Sequence, residues 1–80
     1  MKKIDDVKVF RFVRLYHNVT LDDISALLGV SKASAHFIEK GEFPLTSERR
    51  LKLMNFFGLT EKDLVDIRVM MNRLDYVRGR

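Results

Sequence analysis

Apolar residues along this chain recur at intervals of three and four rather than two, and the pattern is cut by glycines at Gly29, Gly41 and Gly58. Such spacing lines apolar side chains along one face of a 3.6-residue helix, whereas a half-buried strand needs alternation. A glycine just past the last periodic residue is where a helix ends, because it adopts the left-handed conformation without a Cβ clash. Period and punctuation together restrict the chain to a series of short helices packed on one another. Five are predicted: from about Ile4 to His17, Leu21 to Leu28, Lys32 to Lys40, Thr46 or Ser47 to Gly58, and Thr60 to Tyr76 or Val77. The expected fold class is all-α, a compact five-helix bundle.

The helix starts carry their own signals. Thr20 precedes Asp22 and Asp23, Ser31 opens the third segment, and Thr60 stands three residues before Asp63 in the manner of a capping box. Asn18 is a suitable stop for the first helix, since asparagine tolerates the left-handed region. Pro44 keeps Phe43 out of helical geometry, so residues 42–45 form a loop. On the first helix, Val7, Phe10, Val13 and Leu15 are the candidates for burial.

Eighty residues leave room for one domain, spanning 1–80. A chain this short buries only about 60–65% of its unfolded surface, so a partner subunit would add stability. The sequence has no cysteine, which excludes disulfides, thiolate metal sites and thiol catalysis. No apolar run of about 18 residues is present. The opening Met1-Lys2-Lys3 meets Asp5 and Asp6 instead of a signal-peptide core, so the expected location is cytoplasmic. The formal charge of +4 suits an anionic partner. Two histidines, no glycine-rich phosphate loop and no paired acids in a cleft argue against an enzyme, and no cofactor is expected.

The second and third segments are both short and are joined by Gly29-Val30-Ser31. A turn of three or four residues containing glycine, between two such helices, is the signature of a helix-turn-helix at about 20–41. The inward positions agree: Ile24, Leu28, Val30, Ala35 and Ile38 are apolar, and small Ser25 allows a close crossing. A plain αα-hairpin without a nucleic-acid role fits the same pattern. With Ala35 and Ile38 inward, the helical period turns Ala33, Phe37 and Lys40 outward, and Lys32 stands at the helix start.

The run from Thr20 to Lys32, TLDDISALLGVSK, and its continuation Ile38-Glu39-Lys40-Gly41 resemble the phage-repressor class of helix-turn-helix, the Cro-like or xenobiotic-response-element family. The resemblance extends over about Phe10 to Leu64. It implies a lambda-repressor-like DNA-binding domain that acts as a sequence-specific transcriptional regulator, a repressor of bacterial, phage or mobile-element type, with the third helix in the major groove and dimers reading two half-sites. Carried over by position, it implies base contacts from Lys32, Ala33 and Phe37 and phosphate contacts from Ser31, Ser34 and Lys40, with His36 at the edge of the DNA face. It also implies a structural ion pair between Arg14 and Glu39. His36 and Glu39 at i, i+3 lack a third ligand, so no metal site is expected. Lys2, Lys3, Lys8 and Arg11, or Arg49, Arg50 and Lys52, could add backbone contacts.

Leu21, Phe37, Glu42 and Phe43 favour an alternative: a protein-interaction module, antitoxin-, antirepressor- or adaptor-like, using the same helix face for a regulatory protein partner. On the last helix, Leu64, Ile67, Met71 and Leu74 suffice to cover the core. A second stripe of Val65, Val69, Asn72 and Tyr76, broadened by Met70 and Val77, predicts a homodimer interface at about 60–77.

Overall fold

Each described helix start is tied by a side chain that reaches onto the backbone of its own first turn. In the computed structural model, which describes residues 5–78 and the side chains of 5–74, the elements are α1 (Asp6–Tyr16), α2 (Leu21–Leu28), α3 (Lys32–Glu39), α4 (Ser47–Phe57) and α5 (Glu61–Arg78). Asp5 accepts from the Lys8 amide at 3.1 Å, Thr46 from the Arg49 amide at 3.2 Å, and Ser31 from the Ser34 amide at 3.0 Å. At α2 and α5 the cap is reciprocal. The Asp23 amide donates to Thr20 Oγ1 while the Thr20 amide donates to Asp23 Oδ2, and Asp63 and Thr60 repeat the arrangement. Each such box satisfies two of the amides that a helix start leaves without intrahelical partners. These bonds hold the carboxyls of Asp23 and Asp63 below the usual carboxylate range, because they favour the charged form. The helix ends are set by Asn18, Gly29, Gly41 and Gly58, all in the left-handed region.

The core draws on all five helices: Val9, Phe10 and Val13 from α1, Ile24 and Leu28 from α2, Ala35 and Ile38 from α3, Leu53 and Met54 from α4, and Leu64 from α5. Two expectations need correction. Val9, fully buried, takes the place given to Leu15, which is 49% exposed. Two residues beyond Val13 is a rotation of about 200°, so the face carrying Val9 and Val13 turns Leu15 away from the core. Leu74 is also exposed. Over its 18 residues α5 extends about 27 Å, while the 11-residue α1 against which it packs extends about 16 Å, so the end of α5 outruns its neighbour.

A network of charges closes the bundle at the side where α1 begins. Asp6 accepts from Arg50 of α4 at 2.9 Å and from Arg68 of α5 at 3.0 Å. Arg50 also forks onto Glu61, with bonds of 2.6 and 2.7 Å. The bidentate pairing holds the Glu61 carboxyl below its usual range, and Glu61 and Asp6 together push the Arg50 guanidinium further up. Helices α1, α4 and α5 meet on these four side chains.

Candidate nucleic-acid interface

The α2–turn–α3 unit is built on Gly29, whose φ of 69° and ψ of 35° end α2. The Gly29 and Val30 amides both donate to the Ser25 carbonyl, which folds the chain back within one turn. The small Ser25 side chain bonds to the Asp22 carbonyl at 2.8 Å and so takes little room at the crossing. Ser31 then starts α3. Ile24 and Leu28 face Ala35 and Ile38 in the core, so the opposite face of α3 is fixed as the outer one.

That outer face carries Lys32, Ala33, His36 and Lys40 exposed, with Ser34 and Phe37 half-buried beside them. Ser31 is exposed, but its hydroxyl is engaged as the helix cap and bonds to the Ser34 hydroxyl at 3.0 Å. The amides of Lys32 and Ala33 lie in the first turn, where a helix supplies no carbonyl partner and the dipole favours an anion. No acid occupies the first turn of α3. Lys32 Nζ stands 3.7 Å from Asp22, and Lys40 Nζ 3.1 Å from Glu42, both at the surface. Surface pairs of this kind contribute about 0–1 kcal/mol, so both ammonium groups exchange partners readily.

Phe37 does not stand out into solvent. Its ring lies 5.1 Å from that of Phe43, and its carbonyl accepts from the Glu42 and Phe43 amides. The loop after α3 is thereby folded onto the helix end, and Arg49 holds its far side by donating to the Pro44 carbonyl at 2.8 Å.

Behind the outer face, Arg14 sets the position of α3. Its guanidinium forks onto Glu39, through Nε and through Nη2, the latter at 3.0 Å, and donates from Nη1 to the Val19 carbonyl at 2.8 Å. The two side chains are only 11% and 13% exposed. One planar group thus ties α1, the chain entering α2 and the end of α3.

The other basic residues are distributed differently from the sequence expectation. Arg50 is spent on Asp6 and Glu61, Arg49 on the loop, and Lys52 lies near Glu48 on its own helix. Arg49 and Arg50 are thus engaged within the fold, whereas Lys52 is held no more firmly than Lys32 or Lys40. Lys8 and Arg11 line a groove between α1 and α3, and Lys2 and Lys3 lie outside the described residues. On α5, Val65 and Val69 are exposed and Asn72 is half-buried, while the Tyr76 and Val77 side chains lie outside the described residues. Sequence reasoning missed the contact between Lys32 and Asp22, for which the Asp22 in the first turn of α2 was the available signal. Among the described residues, no three His, Asp or Glu side chains are grouped so as to hold a metal ion, and no helix is long and apolar enough to cross a membrane.

Two short helices crossing at a left-handed glycine, with a polar outer face on the second, define the helix-turn-helix class. The chain belongs to the helix-turn-helix transcriptional regulators: it is 33% identical over 54 residues to a protein of Methanocaldococcus jannaschii described as an uncharacterized HTH-type transcriptional regulator, and the match covers 68% of this chain and 82% of that one. No family model and no solved structure matches the chain.

Proposed function

We propose that this regulator is a single domain that binds a near-palindromic site on double-stranded DNA as a homodimer, with α3 in the major groove, and represses transcription in the manner of the phage-repressor, Cro-like subtype. The observation that carries the reading is the outer face of α3. It combines two weakly paired lysines, an acid-free first turn and small residues at Ala33 and Ser34, on a helix whose back is fixed by Arg14 and Glu39. Lys32 would donate to guanine O6 and N7, and Ala33 would touch a thymine methyl. Lys40, Ser31 and Ser34 face phosphates, which position the protein without reading sequence. Phe37, half-buried against Phe43, would add an apolar contact to a base, with His36 at the rim.

Dimerisation would come from the α5 stripe of Val65, Val69, Asn72 and Tyr76, of which Val65 and Val69 are 49% and 57% exposed, and would set two α3 helices about one DNA turn apart, roughly 34–36 Å.

Selection of bound sequences from random duplex DNA tests the reading. An enriched palindrome is expected, with Lys32→Ala relaxing sequence preference and Lys40→Ala weakening binding to all sequences alike, lowering the salt slope by about one. Val69→Asp should leave the helical signal unchanged and halve the mass in sedimentation. Failure to enrich any sequence at low salt sinks the reading. That result would favour the α3 face as a protein-binding surface, a use to which the Phe37–Phe43 ring pair is suited.

A further inference from the structure

Between α1 and α3 runs an open groove of about 830 Å³, separate from the α5 stripe and from the base-reading positions of α3. Its apolar lining comes from Phe12 and Leu15 of α1, Leu21 at the start of α2 and Met71 of α5. Phe12 and Leu15 are 36% and 49% exposed, which leaves large apolar area facing water at one place. The charged lining is Lys8, Arg11, Arg14 and Lys40 against Glu39 as the single acid, with His36 beside them. Arg14 forks onto Glu39, with Arg11 3.8 Å away, and Lys40 has Glu42 at 3.1 Å; the cations of the lining still outnumber these acids, with Lys8 and Arg11 carrying the excess.

We infer that this groove is a docking site for an acidic amphipathic helix of a partner protein, one that carries an apolar stripe flanked by Asp or Glu. Helix-in-groove recognition needs an apolar floor for the stripe and complementary charge on the walls, and both are present here. A nucleic-acid backbone answers only the charge; it offers nothing to cover Phe12, Leu15 and Met71. A second copy of this chain carries the same +4 charge, which repeats the sign of the groove. Charge complementarity therefore selects a foreign, acidic segment. His36 and Lys40 line the groove and also belong to the α3 face assigned to DNA. Resting on that assignment, the bound helix and the duplex compete, so the groove is a route by which an acidic partner lifts the regulator from its site.

The test uses the full chain and a fluorescein-labelled synthetic peptide of about 18 residues, five helical turns, with leucine at i, i+3, i+4 and i+7 spacing and glutamate elsewhere. Fluorescence anisotropy at about 0.15 M salt, where surface charge is well screened, should show saturable binding that a scrambled peptide of equal composition does not reproduce. The double variant Lys8→Glu/Arg11→Glu and the single variant Leu15→Asp should each weaken binding at least about tenfold. Both alter exposed positions, and far-UV circular dichroism confirms that they fold. Lys32→Ala should leave peptide binding unchanged while impairing operator binding, which separates this site from the DNA reading. Equal binding of the scrambled peptide overturns the proposal. So does loss on charge reversal with none for Leu15→Asp, which would make the surface a general polyanion site for phosphate backbone. Simultaneous binding of peptide and duplex overturns the competition.

Discussion

Removing the carboxylate of Glu39 should destabilise this domain out of proportion to its single charge. Glu39→Leu leaves the Arg14 guanidinium, 11% exposed, with the Val19 carbonyl as its remaining described partner. Breaking a pair buried to this degree costs about 3 kcal/mol, since the survivor is an uncompensated charge. The whole stability of an 80-residue chain is about 4–12 kcal/mol. At about 4–8 °C per kcal/mol for a domain of this size, the melting temperature should fall by about 12–24 °C. Arg14→Met should cost less, about 2 kcal/mol, because Arg11 already stands 3.8 Å from Glu39 and can move in to replace the lost cation. The informative protein is the double variant, Arg14→Met/Glu39→Leu. It removes both charges and leaves only the Val19 carbonyl to find a new donor, so its loss should be about 1–2 kcal/mol. Urea unfolding of the four proteins, followed by circular dichroism at constant slope, closes the cycle. A double variant that loses about 5 kcal/mol, the sum of the two singles, would refute the idea that Arg14 and Glu39 act on stability as one unit.

Three further outcomes follow from local geometry. Gly58→Ala should cost about 1–2 kcal/mol from the backbone alone, because φ is 67° and an added Cβ meets nothing within 4 Å; Gly58→Asn should cost less, and thermal melts of the two variants check the order. The lowered carboxyls of Asp23, Asp63 and Glu61 contribute stability that is fully present above their ordinary values of 3.8 and 4.5 and is lost as the pH falls through their lower folded-state values. Urea midpoints measured against pH should therefore decline on the acid side, less steeply when Thr20 and Thr60 are replaced by valine. Leu64→Ala, at a fully buried position, should cost about 2–5 kcal/mol in the same denaturation assay, whereas Val65→Ala, half-exposed, should stay within about 0.5 kcal/mol if measured where the protein is monomeric.

What could be read from the sequence was local. The caps at Thr20, Ser31, Thr46 and Thr60 and the stops at Asn18, Gly29 and Gly58 involve residues within three or four positions of one another, and the helices lie where those signals put them. The inward set of the helix-turn-helix was legible for the same reason, since Ile24, Leu28, Ala35 and Ile38 follow from the helical period alone. Leu15 was misplaced because apolar character was counted before rotation about α1 was considered; Val9 shares a stripe with Val13, and Leu15 does not. The Asp6–Arg50–Glu61–Arg68 network was not legible. Its bonds span 11 to 62 positions, and an arginine on an amphipathic helix reads as surface charge until its neighbours are known. On the outer face of α3 the period gave the residues, but not that Phe37 would be drawn against Phe43, because that contact depends on how the following loop folds back.

The long span of the Asp6 clasp also bears on how the chain acquires its shape during synthesis. Arg68 emerges 62 residues after Asp6, whereas the α2–α3 unit is complete once residue 40 has been made. At about 5–20 residues per second, translation needs roughly 1–6 s to travel from residue 40 to residue 68. Helical units with short-range contacts fold in microseconds to milliseconds. Two eight-residue helices are marginal alone, so the α2–α3 unit gains its stability only as the rest of the core arrives, and the clasp closes last, when α5 brings the second arginine to Asp6.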